Sequence, residues 1–176
     1  MLSENNSVVL KTFVLFVVIF TSWSCSKDSD SNPVETEVTA TGFIRASVGG
    51  TSWYSSVITT SKTSTTRYLK ASQTITNNSK YSSAIIEFWI SVNQTGVFAI
   101  GEKDPGYSYA VRAAYTLKSI SGTEDEIYKA YFQDYSYLRV NQISDINLDA
   151  TFIFRAYTED LSKSITASEG VIKIDF

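Results

Sequence analysis

From Ala40 to Phe176 apolar and polar side chains alternate with a period of two, and this pattern confines the chain to β-structure. Ile86, Phe88, Ile90 and Val92 alternate with Glu87, Trp89 and Ser91. Tyr107, Tyr109, Val111, Ala113, Tyr115 and Leu117 alternate with Ser108, Ala110, Arg112, Ala114, Thr116 and Lys118. Phe152 and Phe154 alternate with Ile153 and Arg155, and Ile172, Ile174 and Phe176 with Val171, Lys173 and Asp175. Successive side chains of a strand point to opposite faces, so each run has one face for a core and one for a wetter surface. The runs are rich in Tyr, Ile, Val, Phe and Thr, which suit a half-buried pleated surface.

Turn signals fall between the runs. Gly49-Gly50 separates Ile44, Ala46 and Val48 from Trp53, and two glycines supply the positive φ angles of a two-residue hairpin. Asn93-Gln94-Thr95-Gly96 and Asp104-Pro105-Gly106 read as further turns. Asn77 to Lys80, Gly122 to Glu126 and Glu159 to Lys163 read as loops. The pattern predicts one all-β domain over 40–176, with about nine or ten strands and no amphipathic helix. The expected architecture is an antiparallel β-sandwich, with an up-and-down barrel of the lipocalin or calycin kind as the alternative.

Composition excludes whole classes of chemistry. The 176-residue chain has no His and one Cys. Without His there is no Ser-His-Asp or Cys-His nucleophile, no imidazole base and no zinc site of the usual kinds. One Cys excludes an intrachain disulfide framework. A net charge of −3 and a pI near 5.0 argue against nucleic acid as a partner. We therefore expect neither enzymatic activity nor a cofactor or metal, and a monomer.

The first 39 residues differ from the rest. Thr12 to Phe20 form an unbroken apolar run, too short to span a membrane but of the length of a secretory signal core, about 7–15 residues. Thr21-Ser22-Trp23-Ser24 follows, then Cys25, with small residues at 22 and 24 suited to a signal peptidase. Residues 1–30 resemble a bacterial lipoprotein signal. That resemblance implies a signal peptide over 1–24, acylation of the Cys25 thiol and attachment to the outer membrane, periplasmic or surface-facing. Ser26-Lys27-Asp28-Ser29-Asp30 is similar to the acidic export signal of Bacteroidota-type lipoproteins. Residues 25–39 contain no aromatic residue and place Lys27 against Asp28, Asp30, Glu35 and Glu37. Such a segment buries too little apolar area to offset its ordering entropy, so a flexible acidic tether is expected. About 14 residues of it span roughly 20 Å.

Three segments of the remainder resemble an uncharacterised family of lipoprotein β-domains. Phe43 to Trp53 looks like its opening hairpin. Asp145 to Ala156 looks like its Asp turn and Phe-x-Phe strand, with Asp149 standing where that family usually has Gly. Ile165 to Phe176 looks like its closing strand. The resemblance implies an envelope-anchored β-domain and supplies no catalytic residues.

Carboxylates are the only catalytic groups left to consider, because the one Ser-x-x-Lys spacing, Ser24 to Lys27, straddles the cleavage point. Glycoside hydrolysis needs two carboxyl groups roughly 5 to 9.5 Å apart. Glu87, Glu169, Asp104, Asp145 and Asp149 are the candidates, although turn chemistry accounts for most of them. Glu124-Asp125-Glu126 lacks the spaced pattern of a Ca²⁺ loop and reads as a solvated acidic loop. The aromatics are the larger surplus, with all 11 Tyr in the β-domain. Trp89 faces away from Ile86, Phe88 and Ile90. Tyr135 and Tyr137 share a face with Arg139 and Asn141, and Tyr157 shares one with Ile153 and Arg155. If these outer faces adjoin, they form an aromatic and Arg platform suited to sugar rings or a protein partner. The alternative is cross-strand pairing for sheet stability. The leading expectation is a non-catalytic envelope lipoprotein that binds a glycan or envelope protein. A barrel-type carrier of an apolar ligand and a carboxylate-based glycoside hydrolase are the other readings.

Overall fold

The structure is a computed structural model that describes residues 37–101, 109–131 and 135–176. The signal and most of the acidic segment, including Cys25, lie outside the described residues, as do Asp104 and Tyr107. Eleven strands are described, one or two more than the alternation suggests. The first, β1 (Val38–Val48), takes in Val38 and Thr39, which composition assigned to the tether. They become strand because they pair with Thr60 and Thr59.

Gly49 and Gly50 turn β1 into β2 (Thr51–Ser55), with φ of +56° and +79° and Val48 opposite Thr51. This is the expected two-residue hairpin, whose positive φ values match the twist of the flanking strands. After a jog at Ser55–Val57, β3 (Ile58–Lys62) continues along the same edge of β1. Ser55 holds the jog by donating to the Ser72 carbonyl at 2.6 Å and accepting the Val57 N–H at 3.0 Å. Next come β4 (Arg67–Thr74), β5 (Tyr81–Ile90), β6 (Gly96–Ala99) and β7 (Val111–Ser119). Asn78, in the β4–β5 loop, accepts the N–H groups of Lys80 and Tyr81 at 2.8 and 2.9 Å, the local bonding that favours Asn in turns. The last four are β8 (Glu126–Ala130), β9 (Tyr137–Ile143), β10 (Asn147–Tyr157) and β11 (Ser164–Asp175).

The domain is all-β, as the alternation requires, and every pairing between strands is antiparallel. All the strands belong to one sheet. Hydrogen-bonded neighbours run β11–β1–β3–β4–β5–β7–β8–β10, and β10 pairs back onto β11, so the bonds close a ring. The ring is not a regular barrel, because two of its long strands, β1 and β10, each divide an edge between partners. β1 pairs with β3 near its start and with β2 near its end. β10 pairs with β9 over Leu148–Ile153 and with β8 at Ala156–Tyr157. The short β6 continues outward from β9.

β11 carries a bulge that both neighbours register. Opposite β1 the pairs step from Arg45–Val171 to Ser47–Ser168, and opposite β10 from Phe152–Gly170 to Phe154–Ala167. Glu169 sits in this extra step with φ +53°. Gly170 follows it, buried under the Phe152 ring. A second bulge lies in β9 at Asn141, opposite the start of β10, where the pairing steps from Asp149–Gln142 to Ala150–Val140. There the Asn141 amide donates to the Asp149 carboxylate at 2.9 Å, a partner that a Gly at 149 lacks.

The core is formed by the inward residue of each alternation. Ile44, Ile58, Leu69, Ile86, Phe88, Ile90, Leu138, Leu148, Phe154 and Ile172 are all essentially without solvent contact. Phe88 of β5 meets Phe152 and Phe154 of β10 edge-on, with centroids 4.9 and 6.0 Å apart, joining strands that are not neighbours in the sheet. Phe152 and Phe154 stack on each other at 5.8 Å. Edge-to-face and offset arrangements of this kind add to the area these rings bury.

Candidate functional site

Trp89 is half-buried on the outer face of β5, as the alternation predicts. Its surroundings come from strands far away in sequence. Register places Tyr68 of β4 on one side of Trp89 and Arg112 of β7 on the other. The Tyr68 and Trp89 rings lie 5.3 Å apart and tilted by 41°, and the Arg112 guanidinium carbon is 5.3 Å from the Trp89 ring centre. The Tyr68 hydroxyl donates to Glu87, the next outward residue along β5. Burial, then this bond to a carboxylate, pushes the Tyr68 phenol well above its ordinary value, so it stays a neutral donor. The result is a Tyr–Trp–Arg row across three strands, with the Trp between a second ring and a cation.

The other expected platform residues stand on β9 and β10. Tyr137 and Arg139 are exposed, while Ser136, Leu138 and Val140 beside them are buried, so the alternation holds. Tyr137 pairs with Ile153 and Arg139 with Thr151. Tyr135 precedes the strand with φ +55° and is 92 % exposed. Tyr157, the next outward position after Ile153 and Arg155, packs edge-on against Tyr131 at 5.8 Å and carries the Arg155 guanidinium 5.2 Å from its ring centre. The five expected residues therefore fall into two groups. Tyr137, Arg139 and Tyr157 share the β9–β10 face, with Tyr135 just before β9, whereas Trp89 lies on β5, which pairs with neither of those strands.

The candidate carboxylates are dispersed. Glu87 is engaged by Tyr68, Asp145 pairs with Lys62 in the turn before β10, Asp149 lies near Asn141 and Lys173, and Glu169 is at the β11 bulge. No group of three or more His, Cys, Asp or Glu side chains able to hold a metal occurs among the described residues. In the acidic loop, Asp125 bonds Lys118 and the Ser119 N–H, so that part of the loop braces the end of β7.

Glu126, the last residue of that loop and the first of β8, has the most shifted carboxylate. Lys163 at 2.7 Å, then the hydroxyls of Tyr128 at 2.5 Å and Tyr81, hold its pKa down at about 2. Its side chain is 15 % exposed but that of Lys163 is 56 % exposed, so solvent screens part of the ion pair and less of the tyrosine bonds. A carboxyl whose folded-state pKa lies below its unfolded one stabilises the fold fully above about pH 4.5, and that contribution disappears as pH falls toward 2. Glu126→Gln is expected to cost about 2 kcal/mol at neutral pH and nothing near pH 2. Urea unfolding of both proteins across that range checks it, and a constant difference at every pH would refute it.

The row's other two members, Tyr68 and Arg112, are not recoverable from the sequence without knowing which strands pair. Arg67 is a different case. It stands in phase with Leu69 and Ala71, both buried, and a basic residue at an inward position of an alternating run is a readable signal. Comparison with family models, with curated proteins and with solved structures finds no match to the chain.

Proposed function

We propose that the protein is an envelope lipoprotein, anchored through lipid on Cys25, whose β-domain binds a glycan without catalysis. The apolar run Thr12–Phe20 followed by the lone Cys25 supports the anchor. The observation that carries the binding role is the Tyr68–Trp89–Arg112 row. An indole flanked by a phenol and a guanidinium offers an apolar plane for a sugar ring and donors at its rim. The polar, acidic composition of residues 26–37 supports this reading, since a flexible segment of that length would reach roughly 20 Å from an acylated Cys25. The interior supports a binding surface over a carrier, because Phe88, Phe152 and Phe154 fill the space between β5 and β10.

Two measurements test the parts separately. Cells fed a clickable fatty acid should label the wild-type chain and not Cys25→Ser, and the variant should leave the membrane fraction. Equal labelling sinks the anchor. On a broad glycan array, Trp89→Ala should lose at least about tenfold in signal against the wild type, since burying one aromatic plane is worth roughly 1.5 kcal/mol. A wild-type protein that binds nothing on the array sinks the glycan reading.

A further inference from the structure

Behind the lip of the same sheet lies a pocket of about 710 Å³, within the range of small-molecule sites. Three connections line it: the β3–β4 turn, the end of β5 and the β9–β10 turn. Its walls are rich in hydroxyl and amide groups, among them Thr63, Ser91, Asn93 and Ser144. Arg67 is part of the lining yet only 7 % exposed. Its guanidinium carbon lies 3.8 Å from the centre of the Phe176 ring, and Nη2 donates to the Ser144 carbonyl at 3.0 Å. Nη1 is buried and has no hydrogen-bond partner among the described residues. The one lining carboxylate among the described residues, Asp145, is engaged by Lys62. Burial disfavours the charged form of Arg67, and Asp145 only partly offsets this, so among the described residues the lining, with Lys62 and Arg67 against Asp145, carries an excess of positive charge.

We propose that this pocket binds the carboxylate of an acidic sugar, with Arg67 as its anchor. The proposal rests on the glycan reading above and names the ligand class. A guanidinium with an unused N–H is complementary to a carboxylate, and a charge-assisted bond in a shielded site is among the stronger contacts available. The hydroxyl and amide side chains match the remaining polar rim of a sugar ring. Position ties the pocket to the aromatic row. Arg67 pairs with Ile90 on the inner face and the adjacent Tyr68 with Trp89 on the outer face. The lip between them is closed by the Thr66 and Ser91 hydroxyls, 2.7 Å apart. A chain whose acidic end enters the pocket therefore passes over this lip onto Trp89.

The test is calorimetric titration of the full-length protein in detergent with glucuronate, glucose, acetate and inorganic phosphate. Saturable binding of glucuronate is expected, with the other three at least about tenfold weaker, because each lacks the ring or the carboxylate. Arg67→Met should abolish it. Because that change could also disturb the fold, Asp145→Asn is the second variant. Removing the lining carboxylate should tighten glucuronate binding severalfold, an outcome that a merely damaged fold does not produce. Absence of glucuronate binding overturns the proposal, as does binding that Arg67→Met leaves unchanged. Phosphate binding equal to glucuronate binding reduces the site to an unselective anion site and overturns it too. If array signals depend on Trp89 but not on Arg67, the pocket fails and the glycan reading stands.

Discussion

Gly42→Ala is expected to leave too little folded protein to purify at growth temperature. Gly42 lies in β1 opposite Ile174 of β11 with φ +118°, a region that L side chains rarely adopt. A Cβ there would lie 2.9 Å from Ile174 Cα and 3.0 Å from the Lys173 carbonyl carbon, with the Lys173 carbonyl oxygen nearer still. All three are backbone atoms, so no rotamer change relieves the overlap. The strands must separate, and theirs is one of the two pairings that hold β1 in the ring. Strain at φ and the lost pairing together cost on the order of 4 kcal/mol, a large share of the 5–15 kcal/mol that a domain of this size has. Soluble yield and the thermal midpoint report it, and every other residue tried at 42 should fail in the same way. A variant that folds with a midpoint within a few degrees of wild type would show the strand adapts.

Gly170→Ala should be nearly as severe and yet repairable. Here the close neighbours are side-chain atoms, since a Cβ on Gly170 would fall within 2.5 Å of Cγ and Cε2 of Phe152. The ring lies flat on the glycine and is packed on its other sides by Phe88 and Phe154, so it cannot swing away without opening the core. Overfilling a tight core costs about 3 kcal/mol, or about 10 °C in midpoint for a domain of this length. Phe152→Leu alone should cost about 1 kcal/mol, and the double variant should be more stable than Gly170→Ala by itself. Additive losses would mean that the glycine is required by the bulge at Glu169 and not by the ring.

What was legible in the sequence was whatever depends on a few consecutive residues. The outward placement of Trp89, Tyr137 and Tyr157, and the inward placement of Phe88, Leu138 and Phe154, follow from the two-residue period of a strand. The Gly49-Gly50 hairpin follows from the φ angles that only such a pair takes easily. Pairing partners were not legible, because they are chosen by packing across many residues. Nothing near Trp89 in the chain indicates that Tyr68 and Arg112 flank it, and nothing near Tyr137 separates its face from that of Trp89. The β11 bulge was hidden for a related reason. Glu169 is not a residue expected at positive φ, and the offset exists only relative to two partners. Arg67 was readable as an inward cation, while its meaning depended on Ser144 and Phe176 arriving beside it from elsewhere.

The place of β11 between β1 and β10 also sets a timetable. A chain emerging in order produces ten strands before the one that both β1 and β10 need, and β1 must wait through more than 100 residues for it. Contacts of such sequence separation form slowly, because a large loop must close before they contribute. Until residues 164–175 arrive, β1 and β10 each present a long unpaired edge, the template from which strands of separate chains associate. Interrupted synthesis anywhere short of β11 therefore yields an adhesive intermediate rather than a smaller domain.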